Sequence, residues 1–354
     1  MFKNLIMYRL TGEYLSCAET LAERLGEFKL TPCSNLEVKK LGWVKPAGKF
    51  GGSLVFNTNG NLMVKMGISE KILPASVVED ELNARIDALE LGRDIKKKER
   101  EELKDEVLHD LLPRAFVRHS SVSAYISTKL NVIFVDSTSH GKAEDLLALL
   151  RKSIGSLSVL PVQTKTPVDQ MMTKWVDDMS NVLPFEVLDG FELKSPLEKG
   201  PVIQAKNRHV TCSESQEFIG DGMFVTKLNL QHGESVTFTL NENLTIGRIK
   251  FTDVVLEQND IETSDKLGHF NADFLIMTGV FEQLFTDLMK VLGGEDNTTV
   301  DTYVDSAIEH VKEKLIDELT GPLNVNSAPR VMKPLEQLGV LSTVNNSGSR
   351  KVLV

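Results

Sequence analysis

The stretch from Ala75 to Leu112 restricts the fold more than any other part of the sequence. Its apolar residues recur at helical spacing, with Leu82, Ile86 and Leu89 in one stripe and Leu103, Val107 and Leu111 in another. Between the stripes runs Arg93-Asp94-Ile95-Lys96-Lys97-Lys98-Glu99-Arg100-Glu101-Glu102, which offers almost nothing to bury. A helix that is polar through its middle cannot lie inside a core, because burying unpaired charges is costly. The pattern predicts a helix or helical hairpin that projects from the body and is ended by Pro113.

Both flanks of this stretch read as mixed α and β structure. Phe2 to Leu10 is strand-like, and Ala18, Leu21, Ala22 and Leu25 mark a helix that Gly26 stops. Leu41 to Lys49 reads as a strand end and turn. Asn59-Gly60 is a hairpin signal between Ser53–Asn57 and a strand over 61–66. After the arm, Ala124–Ile126 and Val132–Val135 read as strands. An amphipathic helix through Ala143, Leu146, Leu147, Leu150 and Ile154 closes at Gly155, and Leu157–Val162 is a further strand. Strand, strand, helix, strand in that order implies antiparallel or mixed sheets with helices on one side.

A second lobe follows Pro167. It opens with a short helix near Met171–Asp177 and continues in strands. Val236, Phe238 and Leu240 alternate with Thr237 and Thr239, the pattern of a half-buried strand. Ile249 and Phe251 point one way, so Arg248 and Lys250 point the other. A helix over about 280–292 stops at Gly293-Gly294. From Asp296 the chain reads as appended, with one helical stripe (Val300, Val304, Ala307, Ile308, Val311, Leu315) ended by Gly321-Pro322. A length of 354 residues agrees with more than one lobe, since single cores stop growing near roughly 250–300 residues.

The class expected is α+β: antiparallel or mixed sheets covered by helices in two lobes, plus the projecting arm. The expected division is a central domain from 1–74 with 119–166, the arm at 75–118, a base domain at 167–295 and an extension at 296–354.

Several chemistries find no signal in the sequence. The apolar runs are too short and too interrupted for a membrane-spanning helix, and the N-terminus lacks a signal-peptide core, so the cytoplasm is expected. The three cysteines (Cys17, Cys33, Cys212) form no CxxC pair, and the seven histidines are scattered. No Walker A loop, GxSxG elbow or HExxH pattern occurs. No cofactor, metal or catalytic residue is expected. The alternative is a metal-dependent nuclease built on the acidic stretch 253–273, through Asp253, Glu257, Asp260, Glu262, Asp265 and Asp273.

The net charge of −10 at first argues against a polyanionic partner. Its distribution changes that reading. Eleven acidic residues and two lysines fall between Asp253 and Asp301, and the first 252 residues hold 32 basic and 33 acidic groups. Local clustering decides phosphate binding, and cations occur on several elements. Lys96, Lys97, Lys98 and Arg100 form a run on the arm, which also reads as a solvated helix with i, i+4 pairs. Arg114 and Arg118 flank Phe116; Arg151 and Lys152 end a helix; Lys206 and Arg208 lie in an acid-free, strand-like piece; Lys227, Arg248 and Lys250 lie on strands. Such dispersed cations suit tracking a phosphate backbone without reading bases.

At these residues the sequence resembles the RdgC family over residues 2–295. The resemblance is carried by Phe2-Lys3-Asn4-Leu5, Leu41-Gly42-Trp43-Val44, Glu70-Lys71-Ile72-Leu73-Pro74 and Leu103-Lys104-Asp105-Glu106-Val107-Leu108-His109. It continues through Leu111-Leu112-Pro113-Arg114-Ala115-Phe116, the run from Leu147 to Leu157, and Ala272-Asp273-Phe274-Leu275-Ile276-Met277-Thr278-Gly279. The resemblance implies a horseshoe-shaped subunit and a ring-shaped homodimer around double-stranded DNA, with single-stranded DNA as a second ligand. It also implies a nucleoid-associated protein that is not an enzyme and that restrains RecA by occupying its DNA. Phe116 would then be an apolar anchor at the contact that closes the ring; as a residue at a helix end it reads equally as a core aromatic. The family is expected to finish near Gly293-Gly294-Glu295, which leaves 296–354 without a counterpart.

Overall fold

The computed structural model describes residues 1–12, 17–89, 95–178, 182–197, 199–206, 213–259, 261 and 264–296. The helix expected within 300–319, Arg208, Cys212, Asp260 and Glu262 lie outside these residues. Residues 1–296 form one compact unit.

The unit is α+β, with two antiparallel sheets. The first has seven strands: β1 (Ile6–Leu10), β2 (Lys39–Val44), β3 (Phe56–Thr58), β4 (Asn61–Ile72), β5 (Phe116–Ser127), β6 (Val132–Val135) and β7 (Val159–Pro161). Their order is β2-β4-β5-β6-β1-β7, and β3 pairs with β4. Asn59 and Gly60 join β3 to β4 with positive φ at both, the conformation a two-residue hairpin turn needs. Two helices, α1 (Ala18–Gly26) and α4 (His140–Ile154), share a core with one face of this sheet, through Leu21, Leu25, Leu146 and Leu150 against Ile6, Val64 and Ile133. Trp43 is buried and donates its indole N–H to Ser153 Oγ at 2.8 Å, tying β2 to α4. Gly155 ends α4 at φ +89, a conformation that L side chains rarely adopt.

The second sheet comprises β8 (Phe185–Lys194), β9 (Val202–Ala205), β10 (Phe224–His232), β11 (Val236–Asn241) and β12 (Ile246–Phe251), in the order β12-β11-β10-β8-β9. Its apolar face packs with α5 (Val168–Asp178), with α6 (Ser213–Gly220) through Phe218 and Ile219, and with α8 (Lys266–Val291). The same cluster takes in Met7, Tyr125 and Phe134 from the first sheet and Leu5 just ahead of it, so α8 lies in a core that both sheets share. Phe274, Met277, Phe281, Leu284, Phe285 and Leu288 form its buried stripe. Leu5 forms a bridge with Ile246, which joins the start of the chain to β12.

Three expectations differ most from this structure in their bounds. The strand expected at 61–66 runs on to Ile72, and the one expected at 124–126 begins at Phe116. The two pair along their whole length, from Asn61 opposite Ser127 to Ile72 opposite Phe116. Their outer halves, including Glu70, Arg118, His119 and Ser120, lack apolar alternation; the pairing itself holds them. The helix expected from about residue 280 starts at Lys266. Asp265 caps it by accepting the Gly268 N–H at 2.9 Å, and Gly279, which looks like a break, sits on an open side of the helix.

Between β4 and β5 stand α2 (Ala75–Ala88) and α3 (Lys97–Leu111). They share a small apolar cluster of their own, with Val78, Leu82 and Val107 buried. Arg85 reaches Asp110 at 2.8 Å across the pair, and Arg100 pairs with Glu79.

Candidate nucleic-acid interface

Among the described residues, the second sheet has helices on one face only. On β10, Leu228 and Leu230 are buried while Lys227 is exposed and Asn229 and Gln231 are half-buried; on β11, Val236, Phe238 and Leu240 alternate with Thr237, Thr239 and Asn241. Strand register sets these polar residues side by side: Lys227 opposite Asn241, Asn229 opposite Thr239, Gln231 opposite Thr237 and Thr237 opposite Lys250. The result is an open polar surface with a concavity of about 390 Å³ in it.

Three of the expected cations, Lys206, Lys227 and Arg248, line that concavity, and Lys250 stands exposed two residues beyond Arg248. Lys206, Arg248 and Lys250 have no carboxylate within ion-pair distance among the described residues. Lys227 differs, because its ammonium lies 2.8 Å from Glu192 Oε2. Burial pushes the Glu192 carboxyl up, but hydrogen bonds from Lys227, Thr226 and Gln204 outweigh it, and the net direction is down. Glu192 therefore stays ionised at neutral pH and cancels one of the cations.

The amide side chains were not singled out from the sequence, and they make up much of the surface. Their alternation with Leu228, Leu230 and Leu240 was the available signal. Asn229 donates to Asp189 O at 2.8 Å and accepts from Thr239 Oγ1 at 2.7 Å. Asn241 donates to Thr245 O at 2.7 Å, and Gln204 donates to Glu192 at 2.5 Å. The amides are engaged within the protein, which leaves the charges as the groups free to meet a ligand.

The other candidates lie elsewhere. Lys97 and Lys98 are almost fully exposed at the start of α3, with Glu101 and Glu102 at 4.0 and 3.8 Å, and Lys96 precedes them. Arg114 is exposed after α3, and Arg118 pairs with Glu70 at 2.6 Å across β5 and β4. At the end of α4, Arg151 donates to Leu157 O at 3.1 Å and Lys152 sits 5.2 Å from the centre of the Phe28 ring. Phe116 opens β5 and is 84% exposed, which removes the reading of it as a core aromatic. Its strand partner Ile72 and its neighbour Val117 are exposed as well.

Among the described residues, the carboxylates of 253–273 do not converge. Asp253 opens the short helix α7 (Asp253–Leu256), Asp265 caps α8, and Asp273 accepts from Asn259 at 2.7 Å. Among the described residues no three His, Cys, Asp or Glu side chains form a group able to hold a metal ion. No helix among them is long and apolar enough to cross a membrane.

Fold and surface together define a two-sheet α+β protein that leaves one sheet open, polar and cationic. The chain belongs to the RdgC family: the family model described as "Putative exonuclease, RdgC" matches residues 1–295. Its relatives include the recombination-associated protein RdgC of Enterobacter sp. (strain 638), 44% identical over 297 residues that cover 83% of this chain and 98% of that protein. The RdgC of Psychromonas ingrahamii is 40% identical over 84% of this chain and 99% of its own length, and that of Aeromonas hydrophila 41% over the same shares.

Proposed function

We propose that this protein binds double-stranded DNA without sequence preference, as a ring-shaped homodimer of horseshoe-like subunits, and restrains RecA by occupying its substrate. It acts at the nucleoid and performs no catalysis. The observation that carries this reading is the open face of the second sheet. Lys206, Arg248 and Lys250 lack carboxylate partners among the described residues there, while the amides that would read base edges are engaged internally. Cations without free amides favour phosphates over bases. The relatives' names, which place them with recombination, support a DNA partner.

In this reading residues 75–118 form the projecting arm, residues 1–74 with 119–166 the central domain and 167–295 the base. Phe116, with Ile72 and Val117 exposed beside it, supplies the apolar contact that closes the ring. A closed ring of two copies needs two separate contacts, since one leaves an open arc.

The test is duplex binding across a salt series, on linear and on closed circular DNA. Log affinity should fall with log salt at about −0.9 per phosphate neutralised, with little variation among sequences. Phe116→Ala should shorten residence on the circle without altering that slope. A flat salt dependence overturns the DNA reading, and cleavage of DNA with added Mg²⁺ overturns the non-catalytic one.

A further inference from the structure

A second concavity lies away from the cationic sheet face and shares no lining residue with it. It is built on the loop after β2, Pro46-Ala47-Gly48-Lys49-Phe50-Gly51-Gly52. A single turn of 3-10 helix over Gly48–Phe50 begins at Gly48 with φ +59 and leaves Phe50 49% exposed. A large aromatic held half in solvent on a glycine-flanked turn contributes little to the core and is placed to meet a ligand.

Phe50 lines a cavity of about 390 Å³ with Pro46, Ala47, Lys266, His269, Phe270 and Asp273. Its apolar wall is rigid. Phe56 backs the Phe270 ring edge-on, with centroids 4.9 Å apart. Its polar wall is fixed as well. Asn259 donates to Asp273 Oδ1 at 2.7 Å and to the His269 carbonyl at 3.1 Å, and His269 Nδ1 stands 3.6 Å from Asp273 Oδ2. Asp273 Oδ2 is thus oriented but keeps acceptor capacity. Lys266 lines the cavity, and Lys49, next to the lining residue Phe50, holds its ammonium 5.3 Å from the centre of that ring.

These groups select a ligand by chemistry. Aromatic walls favour a planar ring, a carboxylate favours an amino group on that ring, and the lysines favour a phosphate attached to it. A cationic ligand would meet Lys49 and Lys266, and a purely apolar one would desolvate Asp273 without replacing its hydrogen bonds. A nucleobase with an exocyclic amine, carried on a phosphate chain, meets all three demands.

We propose that this cavity is a stacking site for an unpaired nucleobase of single-stranded DNA, taking cytosine in preference to thymine. The inference rests on the DNA-binding reading above. The ring stacks against the cavity's aromatic wall, its amine donates to Asp273, and Lys49 and Lys266 meet the adjacent phosphates.

The test compares the full chain and its variants for binding to fluorescent oligo-dC, oligo-dT and duplex. Phe50→Ala should weaken oligo-dC binding by about tenfold, the order seen when a stacking aromatic is removed. It should leave duplex binding unchanged, and Phe50→Tyr should restore the single-strand affinity. Asp273→Asn should erase the preference for oligo-dC over oligo-dT. Unlabelled dCMP should displace oligo-dC only at far higher concentration than unlabelled oligo-dC does; equal potency replaces the strand with a free nucleotide and overturns the proposal. It is also overturned if Phe50→Ala changes neither ligand or weakens both alike. Wild-type protein that binds duplex but no oligo-dC sinks this inference alone, whereas binding of neither sinks the DNA reading too.

Discussion

The two sheets of this protein use the same strand chemistry for opposite ends. The first is covered on both sides in its central part, where β1, β6 and the paired inner halves of β4 and β5 lie. Ile6, Val64 and Ile133 turn to the core shared with α1 and α4, while Met7, Met63 and Phe134 turn to the core that holds α8. Both sets of alternate side chains are engaged in packing, and β6 is buried at every position. Among the described residues the second sheet has helices on one face, and the alternate residues of β10, β11 and β12 turn away from them. An antiparallel sheet can leave one face wet because polar residues at every second position satisfy it. A polar, cationic surface thus arises where, among the described residues, no helical layer covers the sheet.

The two sheets depend on each other most at the shared core. Phe281 is fully buried on α8, with its ring centroid 6.3 Å from that of Phe2, ahead of β1, and 5.6 Å from that of Phe251, at the end of β12. Phe281→Ala should cost about 3–5 kcal/mol in urea denaturation. A loss below about 1 kcal/mol would mean that this ring does not hold the sheets together.

A smaller effect is expected on the open face. Replacing Arg248 and Lys250 with Ala together should change stability by no more than about 0.5 kcal/mol, because both side chains are exposed. The salt slope of duplex binding should become shallower by about 1.8 if each neutralises one phosphate. An unchanged slope would move the DNA contact to another surface.

The smallest effect concerns Glu192. Its carboxyl is held below the usual range in the folded protein, so the stability it contributes is present above the unfolded-state value and is lost as pH falls through the folded one. Protonation also releases Lys227 from its partner. DNA affinity should therefore rise as pH falls through that window, and Glu192→Gln should reproduce the rise at neutral pH with a slope steeper by about 0.9. Equal pH profiles for the wild type and Glu192→Gln would show that Lys227 does not meet phosphate.

The cations of the open face were legible because period-two alternation reports direction. Arg248 and Lys250 had to oppose Ile249 and Phe251 wherever the strand lay. The same rule could have found Asn229 and Asn241, but amides carry no charge to draw attention to them. Arg151 and Lys152 show the limit of counting cations: at the end of α4 one meets a carbonyl and the other an aromatic ring. Phe116 shows the limit of reading an aromatic by type, since only the position of β5 beside Ile72 leaves it in solvent.

The sequence by itself determined the local periods: the helices ended by Gly26 and Gly155, the turn at Asn59-Gly60, the polar-centred pair α2 and α3, and the strand faces of β11 and β12. These follow from side-chain spacing and backbone preference within a few residues. Only the tertiary structure decided how far β4 and β5 extend and which carboxylate neutralises Lys227. Both depend on partners far away in the chain. Polar strand halves persist when a paired strand supplies their hydrogen bonds, and Glu192 reaches Lys227 because β8 lies next to β10 in the sheet.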